Sequence, residues 1–374
     1  MYKAIIAIVL SIFSLKNSQA QDKSDVNNKF LHSTYCVGGS LIDAETINHS
    51  DYENFQFIYL MATPGWNQID FTLPLDSIFH RADSYQYEKD NGFKNVPNMI
   101  KKAQKSGTRV LLSFAGEGFN PLVEDNERRA KFIAYMVRFM TAKGYDGIEI
   151  DWETGIDLDI HAQLMSEIRD RLDERSKMDG KEYYLTTALH YFHKYSPELA
   201  NKVANKVNWI NIMTYDMGGG IWGKDATHNT PFNTIKKSLK HWTSVFDVKK
   251  LSIGLANYGF IYRYLKPGDS VQSSLHQYGK YIGYNNFLKL REQNWTEEYD
   301  PKEDVCYYIS PNGNEFVTME NKETIARKIK WIKNEGFRGV FWWEFHYDFI
   351  NEGGKDKHHL IDVVTNYLKN EETD

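Results

Sequence analysis

The stretch Tyr145-Asp146-Gly147-Ile148-Glu149-Ile150-Asp151-Trp152-Glu153 decides how this chain folds. Its apolar letters read as a buried strand, and side chains alternate across a strand with a period of two. Glu149, Asp151 and Glu153 therefore share one face, while Ile148, Ile150 and Trp152 share the other. With the apolar face packed on helices, the three carboxylates point into a barrel and climb toward its mouth in steps of about 6–7 Å. Such inward acids must share protons or find partners, because ionising all of them there is costly. An edge strand with a solvated acidic face is the competing reading, and the central position in the chain speaks against it.

Outward from this segment, short apolar runs alternate with longer helical patterns. Thr34 to Gly38, Phe55 to Met61, Arg109 to Phe114, Tyr184 to Leu189, Val207 to Tyr215, Leu251 to Ala256 and Gly339 to Trp343 read as further strands. They are rich in Val, Ile, Leu and aromatics, as strands buried on both faces are. Helices are predicted over Glu127 to Lys143, stopped by Gly144, over Leu158 to Met178 behind an Asp157 N-cap, and over Lys322 to Glu335. Eight strands alternating with helices argue for an α/β protein of the (β/α)8 TIM-barrel type. A doubly wound open sheet would want a glycine-rich phosphate loop after its first strand, and Gly38-Gly39 is not GxGxxG. The connection from Asn257 to Lys322 is too long for a simple loop. It predicts a small α+β insertion subdomain at about residues 260–317, between strands seven and eight, on the rim where barrel active sites lie.

Composition narrows the partners. The 374 residues are 41% hydrophobic and carry 45 Lys and Arg against 50 Asp and Glu, a net charge of −5 without a basic block. That excludes a disordered chain and disfavours a nucleic-acid binder. The 24 Tyr, 21 Phe and 9 Trp suit both a core and a cleft that stacks on sugars. Residues 1–20 read as a cleaved signal peptide: Lys3, an apolar run from Ala4 to Leu15, then small Ser18 and Ala20 before Gln21. Residues 21–374 would then be exported, secreted or periplasmic, without membrane insertion. Cys36 and Cys306 are too few for a disulfide framework, and Cys36 reads as a buried thiol. His190 and His193 lack a third ligand at readable spacing, so no metal and no cofactor are expected. Tyr278, Tyr281 and Tyr284 either line a groove or pack the insertion.

The acidic strand resembles glycoside hydrolase family 18, the chitinase family, whose fourth strand carries DxxDxDxE. Asp146, Asp151 and Glu153 match it, and Glu149 stands in place of the middle Asp. Met213-Thr214-Tyr215-Asp216 is similar to the family's MxYD. Ser113-Phe114-Ala115-Gly116 is a looser SxGG, and Tyr258-Gly259-Phe260 departs from YGR at its last residue. Gly339 to Trp343 resembles the eighth strand, whose terminal Trp floors the sugar site.

The resemblance implies a retaining glycosidase that cleaves β-1,4-linked N-acetylglucosamine polymers with help from the substrate's own acetamido group. Glu153 would be the acid/base, Asp151 would hold the acetamido N–H, Glu149 would share a proton with Asp151, and Tyr215 would bond the acetamido oxygen. Asp216, Met213 and Trp343 would bind substrate. Two other readings remain open: an endo-β-N-acetylglucosaminidase acting on N-glycan chitobiose cores, and a non-catalytic sugar-binding protein of the same fold.

Overall fold

The computed structural model describes residues 29–41, 52–63, 65–78, 92–219, 224–271, 280–352 and 355–371. The leader assigned to residues 1–20, and Tyr278, lie outside the described residues.

Eight parallel strands close into a barrel. They are β1 (Leu31–Val37), β2 (Phe57–Met61), β3 (Arg109–Gly116), β4 (Gly147–Trp152), β5 (Tyr184–His190), β6 (Trp209–Met213), β7 (Leu251–Ala256) and β13 (Gly339–Trp343). Their order round the barrel is β1-β13-β7-β6-β5-β4-β3-β2. The fold is the (β/α)8 barrel that the alternation of runs predicts.

The register delivers the expected alternation. On β4, Ile148, Ile150 and Trp152 are buried outward, and Trp152 stacks on Phe119 with ring centroids 5.5 Å apart. Phe119 belongs to a cluster with Trp66, Phe114 and Phe132, which fills the layer between β3 and the helix Asn126–Lys143. Gly147 opens β4 where the chain passes against β5: a Cβ there would lie 2.2 Å from the Tyr184 carbonyl oxygen, so no other residue fits. Asp146, the first acid of the motif, has no place in the mouth. It accepts from the Val110 N–H at 2.9 Å and pairs with Lys181 at 2.7 Å, clamping the bottom ends of neighbouring strands.

The helices begin and end where their caps dictate. Asp125 accepts from the Arg128 N–H at the start of Asn126–Lys143, and Gly144 ends it with a left-handed φ of 81°. Asp157 caps Leu158–Asp179 as its position predicts. Asn321 and Thr324 form a capping box at the start of Lys322–Asn334.

Between β7 and β13 the chain builds a second, antiparallel sheet. Its strands are β8 (Tyr258–Arg263), β9 (Lys280–Gly283), β10 (Thr296–Asp300), β11 (Val305–Ile309) and β12 (Glu315–Thr318), in the order β10-β11-β12-β8-β9. The helix Tyr284–Arg291 packs against it through Phe287 on Tyr308, 4.5 Å between centroids. Gly259 is obligatory in β8, since a Cβ there would fall 1.6 Å from the Thr318 carbonyl oxygen. A buried ion pair holds the return of this sheet. Lys328, in the helix Lys322–Asn334, pairs with Glu320 and donates to the Thr230 carbonyl at 2.8 Å; the Thr230 hydroxyl also bonds Glu320. Cys36 and Cys306 are both buried free thiols.

Candidate active site

Glu149 and Asp151 point inward from β4, and Glu153 follows one residue beyond the strand end. Ser113 is the direct β3 neighbour of Glu149 in register and donates its hydroxyl to Oε2 at 2.6 Å. Tyr35, reaching across from β1, donates to Oε1 at 2.7 Å. Burial pushes the Glu149 carboxyl up from the usual carboxylate range, and these two bonds only partly offset that.

Asp151 is 2% exposed and also titrates well above its ordinary range, because of burial first and then the charges of Glu153 and Glu149. Its Oδ1 has no hydrogen-bond partner among the described residues. The Tyr215 hydroxyl, 4% exposed, is likewise unpartnered. Glu149 bonds Tyr35 and Ser113, and among the described residues no hydrogen bond joins it to Asp151. Beyond burial, the charges of Glu153 and Glu149 raise Asp151.

Glu153 is fastened by its backbone N–H, which donates to the Gly116 carbonyl at 3.4 Å. Burial, then the charges of Asp216 and Glu117, push its carboxyl up to about 7, so near neutral pH it holds a proton much of the time.

The sequence reading carries the sixth strand through Tyr215, whereas β6 ends at Met213. Thr214 turns its hydroxyl onto the Gly254 carbonyl at 2.7 Å, and the chain then lifts into the mouth. Asp216 has a φ of 57°, a left-handed conformation that Asp tolerates better than most residues. Its N–H donates to Asn229 Oδ1 at 2.7 Å. Its carboxylate accepts from Tyr258 at 2.6 Å and Tyr281 at 3.4 Å. Burial raises its carboxyl to about 6, against the pull of both tyrosines. Met213 is buried at the end of β6.

Trp343 ends β13, half-buried, with its ring 5.4 Å from that of Tyr35; Trp342 is fully buried on the other face. Phe260, where the resembling motif has Arg, is buried against Tyr281. Of the tyrosine series, Tyr281 is 47% exposed beside Asp216, while Tyr284 packs on Phe287. His190 stacks on Phe192 and meets His193 edge-on.

Of the seven candidate catalytic and substrate-binding residues, six lie on strand ends or first loop residues at one end of the barrel, and Glu149 lies deeper, in the middle of β4. Two that matter beside them went unread, Tyr35 and Glu117, while Tyr281 was read only as a groove-or-packing residue. Only the inward phase of Tyr35 on its strand gave a signal, and nothing local pairs it with Glu149.

Glu149 offers a direct test. A glutamine there keeps an acceptor for Tyr35 and loses the titratable proton, so Glu149→Gln should fold normally and lower kcat by about tenfold, or 1.4 kcal/mol. Removing that charge also lowers the Asp151 pKa, which moves the acid limb of the pH–rate profile to lower pH. Glu149→Asp should retain substantial activity. A wild-type pH profile in Glu149→Gln would show that the charge of Glu149 is not used.

Known proteins resemble this chain in sequence and fold. A family model described as glycosyl hydrolases family 18 matches residues 46–348. A probable endochitinase from Caenorhabditis elegans is 24% identical over 359 residues, covering 85% of this chain and 56% of that protein. Chitinase A1 from Niallia circulans is 26% identical, covering 68% of this chain and 42% of its own length. The chain thus spans about half the length of these curated relatives. Among solved structures, a class V chitinase variant from Nicotiana tobaccum in complex with NAG4 superposes with a TM-score of 0.69 at 19% identity, covering 91% of this chain and 99% of that one. The family match runs through the acidic strand, the β6 loop and the inserted sheet alike, and on that evidence the chain belongs to the glycosyl hydrolases family 18.

Proposed function

We propose that this protein is an exported, retaining glycoside hydrolase that cuts β-1,4 links between N-acetylglucosamine units, with the substrate's acetamido oxygen as nucleophile. One observation carries the reading. Two buried polar groups next to Glu153, Asp151 Oδ1 and the Tyr215 hydroxyl, are left without partners among the described residues. An unmade buried hydrogen bond costs about 1–3 kcal/mol. An acetamido group supplies what both lack: an N–H for the carboxylate and a carbonyl oxygen for the phenol.

The chemistry follows from that placement. Glu153 protonates the glycosidic oxygen as the acetamido oxygen closes on C1, and the leaving sugar departs. Asp151, ionised, holds the acetamido N–H and offsets the positive charge of the oxazolinium ion that forms. Water, deprotonated by Glu153, then opens the ring from the same face, and two inversions give retention. Trp343 gives the reacting sugar an apolar floor. The leader read in residues 1–20 belongs to the same proposal, since an insoluble polymer must be met outside the cell.

Incubation with chitin oligomers and with an N-glycoprotein, followed by mass analysis and NMR of the nascent anomer, tests the reading. β-Anomeric N-acetylglucosamine oligomers are the expected product, and an oxazoline-mimicking thiazoline should inhibit. Release of N-glycans with chitin untouched would move the substrate to chitobiose cores. Efficient cleavage of plain β-glucosides, or no cleavage of any substrate, would reject the mechanism.

A further inference from the structure

Beside the acid stands a carboxylate that the mechanism does not use. Glu117 lies in the loop after β3, between Gly116 and Gly118, whose φ values of 96° and 101° bend the chain sharply on either side. The loop is pinned rather than loose. Gly116 accepts the Glu153 N–H, Asn67 donates to the Glu117 carbonyl at 3.2 Å, and Asn120 donates to the Gly155 carbonyl at 2.9 Å. A Cβ on Gly118 would fall 2.5 Å from Asn67 Cβ, so the loop and Asn67 are tightly packed.

The Glu117 side chain is exposed and has no ion-pair partner among the described residues, unlike Glu127, Glu174 and Glu198, each paired with a basic residue on its own helix. The charges acting on Glu153 are those of Asp216 and Glu117, both acidic. Both neighbours add negative potential at the mouth, and low-dielectric walls focus such a field.

Where Glu117 stands relative to the scissile bond follows from the proposed function, on which this inference rests. A sugar whose acetamido group lies between Asp151 and Tyr215, above Trp343, presents its glycosidic oxygen to Glu153. Trp343 is on β13, directly across the barrel from β4. The next unit continues past Glu153 at the β4 rim, where the Glu153 N–H bonds the Gly116 carbonyl and Glu117 is the following residue. The acetamido group is indispensable on the near side because it is the nucleophile. On the far side nothing in the chemistry requires it.

We propose that Glu117 makes the leaving-group side of the cleft a subsite for glucosamine, so that the preferred bond in partly deacetylated chitin joins N-acetylglucosamine to a following glucosamine. The ammonium of the deacetylated sugar meets an unpaired carboxylate, and a neutral acetamido group gains nothing from it. An exposed pair of this kind shifts selectivity by roughly twofold to fivefold, and salt screens it.

The experiment digests partly acetylated chitosan at mildly acidic pH with wild type, Glu117→Gln and Glu117→Lys, and identifies the new non-reducing-end sugar of each product by mass spectrometry. For wild type, glucosamine should be enriched there roughly twofold to fivefold over its frequency in the polymer. The enrichment should shrink at high salt, vanish in Glu117→Gln and reverse in Glu117→Lys. No enrichment in wild type, or the same enrichment in Glu117→Gln, overturns the assignment. A fully acetylated oligomer run in parallel separates the two levels. If it is cut while the chitosan ends show no bias, this inference alone falls; if neither substrate is cut, the proposed function falls with it.

Discussion

Glu153→Gln is expected to lose roughly 10²–10⁴ in kcat, the range that a positioned general acid contributes, or about 2.7–5.4 kcal/mol. The amide is isosteric, and the backbone N–H that bonds Gly116 is untouched, so fold and oligosaccharide binding should persist. Burial and two neighbouring anions raise the wild-type carboxyl to about 7, so the acid form declines as pH rises past that point. Activity should therefore fall on the alkaline side with an apparent pKa near that value, and the variant's residual rate should lack this limb. Asp216→Asn removes one of the anions and should move the same limb to lower pH in an otherwise wild-type enzyme. A loss below tenfold in Glu153→Gln would take the acid role away from this residue.

The second large effect lies away from the chemistry. Lys328→Met leaves Glu320 buried and ionised with no cation beside it, while Thr230 loses a donor to its carbonyl. Breaking a buried pair from one side costs about 3–5 kcal/mol, whereas replacing both members with apolar side chains is often close to neutral. Urea unfolding should show that loss in Lys328→Met and recover most of it in Lys328→Met combined with Glu320→Leu. The pair joins the β6 loop, the return of the inserted sheet and the last long helix but one. The single variant should therefore also loosen Asn229 and the Asp216 that it positions. A single-variant loss below about 1 kcal/mol would mean that water reaches Glu320 and the burial is not realised in solution.

The barrel was legible because burial on both faces makes its strands continuous apolar runs, and because three acids at alternate positions in mid-chain fit an inward-facing strand better than a solvated edge. Strand ends were less so. β1 starts at Leu31 rather than Thr34, since His32 and Ser33 are polar letters that the fold buries. β6 stops two residues early because Thr214 and Tyr215 are as buried as strand residues while serving a turn. The inserted sheet was readable only as excess length: β10 is Thr-Glu-Glu-Tyr-Asp, mostly exposed at a sheet edge, and it carries the letters of a loop. In the site, the acids announced themselves and their partners did not. Tyr35 lies 114 residues from Glu149 and meets it only through barrel closure, which no local pattern encodes.

Below the acids, the barrel interior has a direction. The Trp209 indole N–H can only donate, and it donates to the Tyr59 hydroxyl at 2.8 Å. Tyr59 passes its own hydrogen to Asn211 Oδ1 at 3.2 Å, the Asn211 amide turns its nitrogen to the Tyr35 hydroxyl at 3.5 Å, and Tyr35 is left to donate upward into Glu149 Oε1. An indole at the foot of the barrel thus starts a four-link relay that runs up to the acids. With Glu149 Oε1 accepting from Tyr35, a proton carried by this residue falls on Oε2, with Ser113 rotated to receive it. The reservoir opens toward β3.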